Sequence, residues 1–416
     1  MVPVRIENRA QLIYLLTEAA ELEHEILCCY LFASFSLKEA ESEGLTAEQL
    51  ERVQAWRRVI GEIVVQEMLH LATACNLLTA VGGAPQLRRP NLPTSARAYP
   101  PAFQLRLVPF GKESLDLFIR LEQPESLAQA ESYRDTAVPL DRLSDIFSSE
   151  RNYETVGELY RGIEDGFTYL AQKLGEEELF IGPPQAQTAE PFFSLPGLIA
   201  VRDLQSALAA IEVIVEQGEG ASIEVEDSHY RRFVRIREEY GEALAADPEF
   251  SPARPVLPNP YATAPTDVAE SAVNLIDDPQ TADVCNLFDG CYELMVQILG
   301  RLFVHAEESE PQLMALADVA VGLMIDVLDP LGRAITTLPA GPSHPDLRAG
   351  PSFRLSRGAA IPAHAEAATP MFRERLDELA RYCQFLQLEP KAPAQLTQVR
   401  DALTKFAGQL AAAAAS

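Results

Sequence analysis

The chain has 416 residues, 47% of them hydrophobic and 23% charged, which excludes a largely disordered protein and leaves material for two or three domains. Thirty-four Lys+Arg against 61 Asp+Glu give a formal charge of −27. That balance argues against nucleic acid or an anionic membrane as partner, because both require basic surface; solubility is its simplest meaning.

The first helix is expected to begin near Asn8, with Gln11 as capping-box partner. Its apolar stripe runs through Leu12, Leu15, Leu16, Ala19, Leu22, Ile26 and Tyr30. A second helix should start near Thr46, capped with Gln49, and stop at Gly82-Gly83 with Pro85 beyond. At about 1.5 Å per residue it would be roughly 50 Å long. Two long helices joined by a short polar stretch suggest an antiparallel pair in a bundle. Residues 84–150 are punctuated by prolines and read as a long crossover connection, with a small hairpin or helix at Ser114 to Leu121. Helical signal returns at Tyr153 to Leu174, at Asp203 to Gly218, and from Asp227 or Ser228 to about Ala245.

Pro252, Pro255, Pro258, Pro260 and Pro265 then mark the best domain boundary. The expected division is a helical bundle over 1–248, including the insert 84–150, and a C-terminal helical domain over 266–411. Beyond the boundary, Val284 to Leu302 is amphipathic, and Leu313 to Ile335 is a helix with a kink expected at Pro330. Pro370 to Leu388 and Ala394 to Ala411 are two more helices. No run reads as a membrane span; the nearest, Leu313 to Leu328, carries Asp318 and Asp326. The first ten residues lack a signal-peptide core, so the expected location is cytoplasmic. Six cysteines, two of them adjacent at Cys28-Cys29, make no disulfide framework.

The informative feature is where certain charges fall. Glu23 sits in the apolar stripe of the first helix, and Glu67 and His70 lie within roughly 40° of the centre of the second helix's stripe. An isolated ionised carboxylate on a buried face is costly unless protonated, paired or bound to a cation. Glu67 to His70 forms an E-x-x-H, whose spacing puts both side chains on one face. With a Glu from a neighbouring helix this is the inward-facing set of di-metal carboxylate bundles. The plainer alternative is a buried Glu–His hydrogen bond. Further candidates are Glu158, Glu212, Glu216, Glu219 and His229. Glu158 falls roughly 140° from its helix's stripe, and Glu216 points away from its own. Glu219 meets the stripe only if the helix runs past Gly218, and its flanking glycines suggest an unwound turn. Glu226 to His229 is a formal E-x-x-H that spans a helix cap. Tyr30, one to two turns from Glu23, is the candidate hydrogen-bond or proton donor, with packing as its other role. No nucleophile elbow and no glycine-rich phosphate loop occurs, and a haem on one of the six histidines is left open.

Several segments carry a family resemblance: AELEHEILCCYLFASFSLK (20–38), EIVVQEMLHLATACNLLTAVGGAP (62–85), ETVGELYRGIEDGF (154–167), IVEQGEGA (214–221) with SHYRRF (228–233), and AGPSFRL (349–355). They resemble the ferritin-like domain of iminophenyl-pyruvate dimer synthases, which couple oxidised aromatic amino acids in bisindole pigment biosynthesis. The likeness runs from the first helix to about residue 385. It implies an all-α fold: a ferritin-like four-helix bundle with a long crossover and a C-terminal helical extension. Carried over by position, it implies Glu23, Glu67, His70 and Glu158 as metal ligands, with Glu216, Glu219 and His229 in the fourth-helix region. Cys28-Cys29 stands where that family often has paired prolines. The implied activity is that of a non-haem di-metal oxidoreductase acting on a small aromatic or amino-acid-derived metabolite. Its cofactor would be one or two iron ions, or another divalent metal, with dioxygen as co-substrate. The alternatives are a metal-binding or structural bundle without turnover, and a metal-free assembly protein. Homo-oligomerisation is left open.

Overall fold

The computed structural model describes residues 4–94, 99, 104–124, 153–189, 192–193, 195–218, 227–264, 273–305, 307–356 and 362–414. Helix α1 (Arg9–Ser36) begins where Asn8 accepts a hydrogen bond from the Gln11 amide. It is buried on nearly every face, and its buried residues include Glu18, Glu23, His24 and Glu25 among the apolar ones. Helix α2 (Ala47–Ala80) opens on a full Thr46/Gln49 capping box and packs along α1. Helix α3 (Lys112–Leu121) lies within the connection that follows. Helix α4 (Val156–Leu174) is capped by Thr155, α5 (Leu204–Gln217) by Asp203, and α6 (His229–Ala246) by Ser228.

Helices α3 and α4 lie in succession along α1. The Phe110 amide, just before α3, donates to Ser36 Oγ at the end of α1. The Phe118 ring then meets Tyr30, Tyr160 meets Glu23, and Gly166 lies against Ile6. The pair thus runs antiparallel to α1 as the two halves of one interrupted bundle helix. Helices α5 and α6 lie along α2 in the same way. Asn76 bonds the Ile199 carbonyl just before α5, Gly218 faces His70, His229 meets Gln66, and Glu239 meets Trp56. The result is a four-helix bundle whose third and fourth members are both broken. Both breaks fall at the level of Glu23 and Glu67.

After a two-residue parallel strand pair, β1 (Pro260–Tyr261) with β2 (Asn274–Leu275), the chain is helical again. Helices α7 (Pro279–Phe303), α8 (Glu310–Ile335), α9 (Ala365–Leu386) and α10 (Gln395–Ala414) pack on one another. The last turns of α8 reach α1, where Phe35 lies so close to Gly332 that a side chain there would collide with it. Just before Pro330, where a kink is expected, the helix widens into a π turn over Leu323–Leu328. Proline offers no N–H and clashes one turn back, and the wider turn just before it absorbs both effects. By length and composition alone α2 and α8 are long and apolar enough to cross a bilayer, a test that buried core helices also pass. In this fold 83% of the apolar window of α2 is buried, and 44% of that of α8.

Candidate metal centre

Five acidic or imidazole side chains meet in the bundle interior, all fully buried: Glu23 from α1, Glu67 and His70 from α2, Glu122 directly after α3, and His229 as the first residue of α6. They form two overlapping groups. In each of Glu23–Glu67–His70 and Glu67–Glu122–His229, one ligand atom per residue lies within 4.8 Å of the others. Glu67 belongs to both.

Within the first group His70 Nδ1 stands 3.1 Å from Glu67 Oε2 and 3.8 Å from Glu23 Oε2. Within the second, His229 Nδ1 is 3.0 Å from Glu67 Oε1 and 3.5 Å from Glu122 Oε2, but neither approach is aligned as a hydrogen bond. The imidazoles stack at 5.5 Å between centroids. Gly218, at the end of α5, faces both rings; a Cβ there would stand 3.3 Å from His70 Cε1 and 3.5 Å from His229 Nδ1.

Other polar groups hold these side chains from behind. Tyr160 donates to Glu23 Oε1 at 2.6 Å, and Tyr30 donates to Glu122 Oε1. Gln66 Oε1 approaches His229 Nε2 at 3.1 Å, which assigns a ring proton to that nitrogen and turns Nδ1 towards Glu67 and Glu122. Five atoms turned inward have no hydrogen-bond partner: Glu23 Oε2, Glu67 Oε1, Glu122 Oε2, His70 Nε2 and His229 Nδ1. Glu67 Oε1 and His229 Nδ1 still attract one another at 3.0 Å, but buried polar atoms are almost always hydrogen-bonded, and a cluster that leaves so many without such a bond is a donor set suited to a cation. The residues present therefore fit a metal.

Burial raises the Glu23 carboxyl well above the usual carboxylate range, and the neighbouring Glu67 adds to the effect. Burial raises Glu122 as well, despite His229. Burial pushes on Glu67 in the same direction, but His229 and His70 outweigh it and hold this carboxyl below the usual range. His229 is destabilised as a cation by burial, yet Glu122 and Glu67 lift it to about 9. Three carboxylates so close cannot all ionise without compensating charge, which a divalent cation supplies.

The positions read from the sequence divide clearly. Glu23, Glu67, His70 and His229 are brought together, and Tyr30 stands directly behind the group. Glu158 is not brought in: it lies in the first turn of α4 and caps the Glu154 amide, consistent with its place off the apolar stripe. Glu216 is exposed on α5. Glu219 and Glu226 lie outside the described residues. Glu122 was missed. It continues the line of Leu115 and Phe118 at seven- and four-residue spacing, so a carboxylate on the buried stripe of a short helix was the available signal.

A ferritin-like family profile matches residues 16–238, more than half of the chain, and the chain belongs to that family. Two relatives are more particular. The chain is 28% identical to dichlorochromopyrrolate synthase from Lentzea aerocolonigenes, across 92% of this chain and 40% of that protein. It is likewise 28% identical to 2-imino-3-(indol-3-yl)propanoate dimerase from Chromobacterium violaceum, across 82% of this chain and 33% of that protein. The chain thus spans two-fifths or less of the length of these relatives. A solved ferritin-like protein from Caulobacter vibrioides aligns with 85% of this chain and all of its own, at 20% identity and a TM-score of 0.49.

Proposed function

We propose that this chain is a non-haem di-metal oxidoreductase, with iron as the metal and dioxygen as co-substrate, acting on a small aromatic or amino-acid-derived molecule. One observation carries the reading: five inward-facing ligand atoms without hydrogen-bond partners inside an apolar bundle. They fall into two three-residue groups that share Glu67, each of which could hold a metal ion. The relatives named above support the oxidative, aromatic-metabolite part of the reading.

Bound iron supplies the redox capacity and the open positions that dioxygen chemistry needs. The chain's own residues do the rest. Glu67 would serve both groups, with Glu23 and His70 completing one and Glu122 and His229 the other. Glu23, whose carboxyl burial raises above the usual range, would have to be ionised to hold a cation. Tyr160 and Tyr30 fix the orientation of the two end carboxylates, a role on which metal affinity depends strongly. Leu22, Ile26 and Ile63, all fully buried, keep bulk water from the interior.

The test is metal content followed by oxygen uptake. Purified protein loaded with ferrous iron is expected to hold two equivalents and to consume dioxygen when given an aromatic 2-imino acid. Metal without uptake for any aromatic amine, imine or amino acid would leave a binding bundle without turnover. Protein that takes up no divalent metal would refute the site itself.

A further inference from the structure

A second feature lies on the other side of the α1–α2 pair. Between these helices and α7 and α8 is a chamber of about 260 Å³. It belongs to neither metal group, although Leu27 and Leu71 on its wall lie one turn from Glu23 and Glu67 along the same helices. The chamber opens beside Val65 and Ile325, apolar side chains that are 49% and 63% exposed. Its lining is chemically unusual. Three of the chain's six methionines, Met68, Met295 and Met324, stand on it, together with Phe35, Phe193 and Phe303. Thioether sulfurs pack favourably on aromatic ring edges, and aromatic side chains favour edge-to-face partners. The π turn Leu323–Leu328 supplies Met324, Ile325 and Leu328 to the wall, and such turns recur at functional sites.

Apart from Asp329 near the opening, the polar groups of the described lining stand together. His24 Nε2 and the Tyr292 hydroxyl lie 2.6 Å apart on the wall, both residues more than nine-tenths buried. Arg89, behind them, donates to Tyr292 at 2.9 Å and fixes its position. Asp329, the acidic residue among the described lining, is held by Arg333, so a charged guest would be desolvated among apolar side chains, which disfavours it.

We propose that this chamber binds an uncharged aromatic molecule of one or two fused rings. A ring of this kind is offered sulfur and aromatic edges on its faces and the Tyr292–His24 pair at one edge. The volume suits it: an apolar cavity of about 150 Å³ accommodates benzene in another protein, and this one has room for a fused pair. The site does not depend on the metal reading, so its test is run on both metal-free and metal-loaded protein.

The probe is indole, titrated by calorimetry. Saturable one-to-one binding is expected, with a dissociation constant between about 10 µM and 1 mM, what so small a ligand reaches in a preformed cavity. Ala72→Phe places a ring inside the chamber and should weaken indole about tenfold or more. Indole-3-acetate should bind about fivefold or more weakly than indole, because its carboxylate would be desolvated among apolar side chains. Crystals soaked with 5-bromoindole should show the bromine by anomalous scattering between Met295 and Met324. No saturable heat, bromine located elsewhere, or a folded Ala72→Phe protein with unchanged affinity would each overturn the site. Equal binding of indole-3-acetate would overturn the uncharged class. If Ala72→Phe does not fold, the bromine position decides alone.

Discussion

Glu67→Gln should remove both cations at once, because Glu67 is the carboxylate common to the two groups. The substitution keeps side-chain volume and replaces one oxygen by a donor that cannot ligate. Wild-type protein is expected to hold about two metal equivalents, Glu67→Gln close to none, and Glu122→Gln about one. The thermal consequence can be worked out. A cation present at about 100 times its dissociation constant stabilises the folded state by about 2.7 kcal/mol. At about 2.1 cal/mol/K of unfolding entropy per residue, 416 residues unfolding together convert this into a rise of about 3 °C per ion. If the roughly 220 residues matched by the family profile unfold by themselves, the rise is about 6 °C per ion. Metal content by elemental analysis and melting by calorimetry, each with and without chelator, check both numbers. Comparing loaded with stripped protein of the same variant cancels the intrinsic cost of leaving His229 and His70 without their carboxylate. A folded Glu67→Gln protein with wild-type metal content and the same thermal increment would refute the assignment, as would a Glu122→Gln protein that loses nothing.

Tyr30→Phe removes the hydroxyl that donates to Glu122 but keeps the ring packed against Phe118 and Phe233. Metal affinity measured by chelator competition should fall about 10- to 100-fold with the fold intact; an unchanged affinity would reduce Tyr30 to packing. Asp289 supplies a pH test away from the centre. Burial raises its carboxyl to about 7 from an ordinary 3.8, against the opposing bonds from Ser352 and the Arg354 amide. The folded state therefore holds this proton more tightly than the unfolded chain. The group's contribution is complete below about pH 3.8 and is lost as pH rises towards 7. The ceiling is about 4 kcal/mol, reduced because solvent reaches part of the residue. Asp289→Asn, whose amide can serve both partners, should flatten the denaturation midpoint between pH 4 and 7 and raise it at pH 8. An unchanged pH slope would sink this argument.

The bundle was legible in the sequence because its helices are long and their caps are written in side chains. Asn8, Thr46, Asp203 and Ser228 each cap a helix where the pattern placed a start. Glu23, Glu67 and His70 were legible for a related reason. A charge within an apolar stripe contradicts the local pattern, and the contradiction marks a site. Glu158 shows the converse: position in a family motif suggested a ligand, while its place off the stripe argued against one, and the structure puts it at a helix start. Glu122 was hidden because α3 has only ten residues, too few for the helical period to stand out in a proline-rich stretch. Pairing α3 with α6 is a tertiary fact that neither segment's pattern contains.

The two helix breaks are the part of this design that composition could least foretell, and they have a geometric reason. An unbroken helix presents inward side chains only at three- and four-residue intervals along one face. Ending α3 at Leu121 and starting α6 at His229 lets these elements offer a ligand-type residue from their termini, where backbone direction is free to change. The start of α6 also directs the positive end of its peptide dipoles at the carboxylates of Glu67 and Glu122. Gly218 clears the space that a side chain at the end of α5 would take from the two imidazoles. Interrupted helices usually weaken a bundle. Here the interruptions lie where the interior is most polar, so the stability forgone at the breaks coincides with the place where a bound cation would restore it.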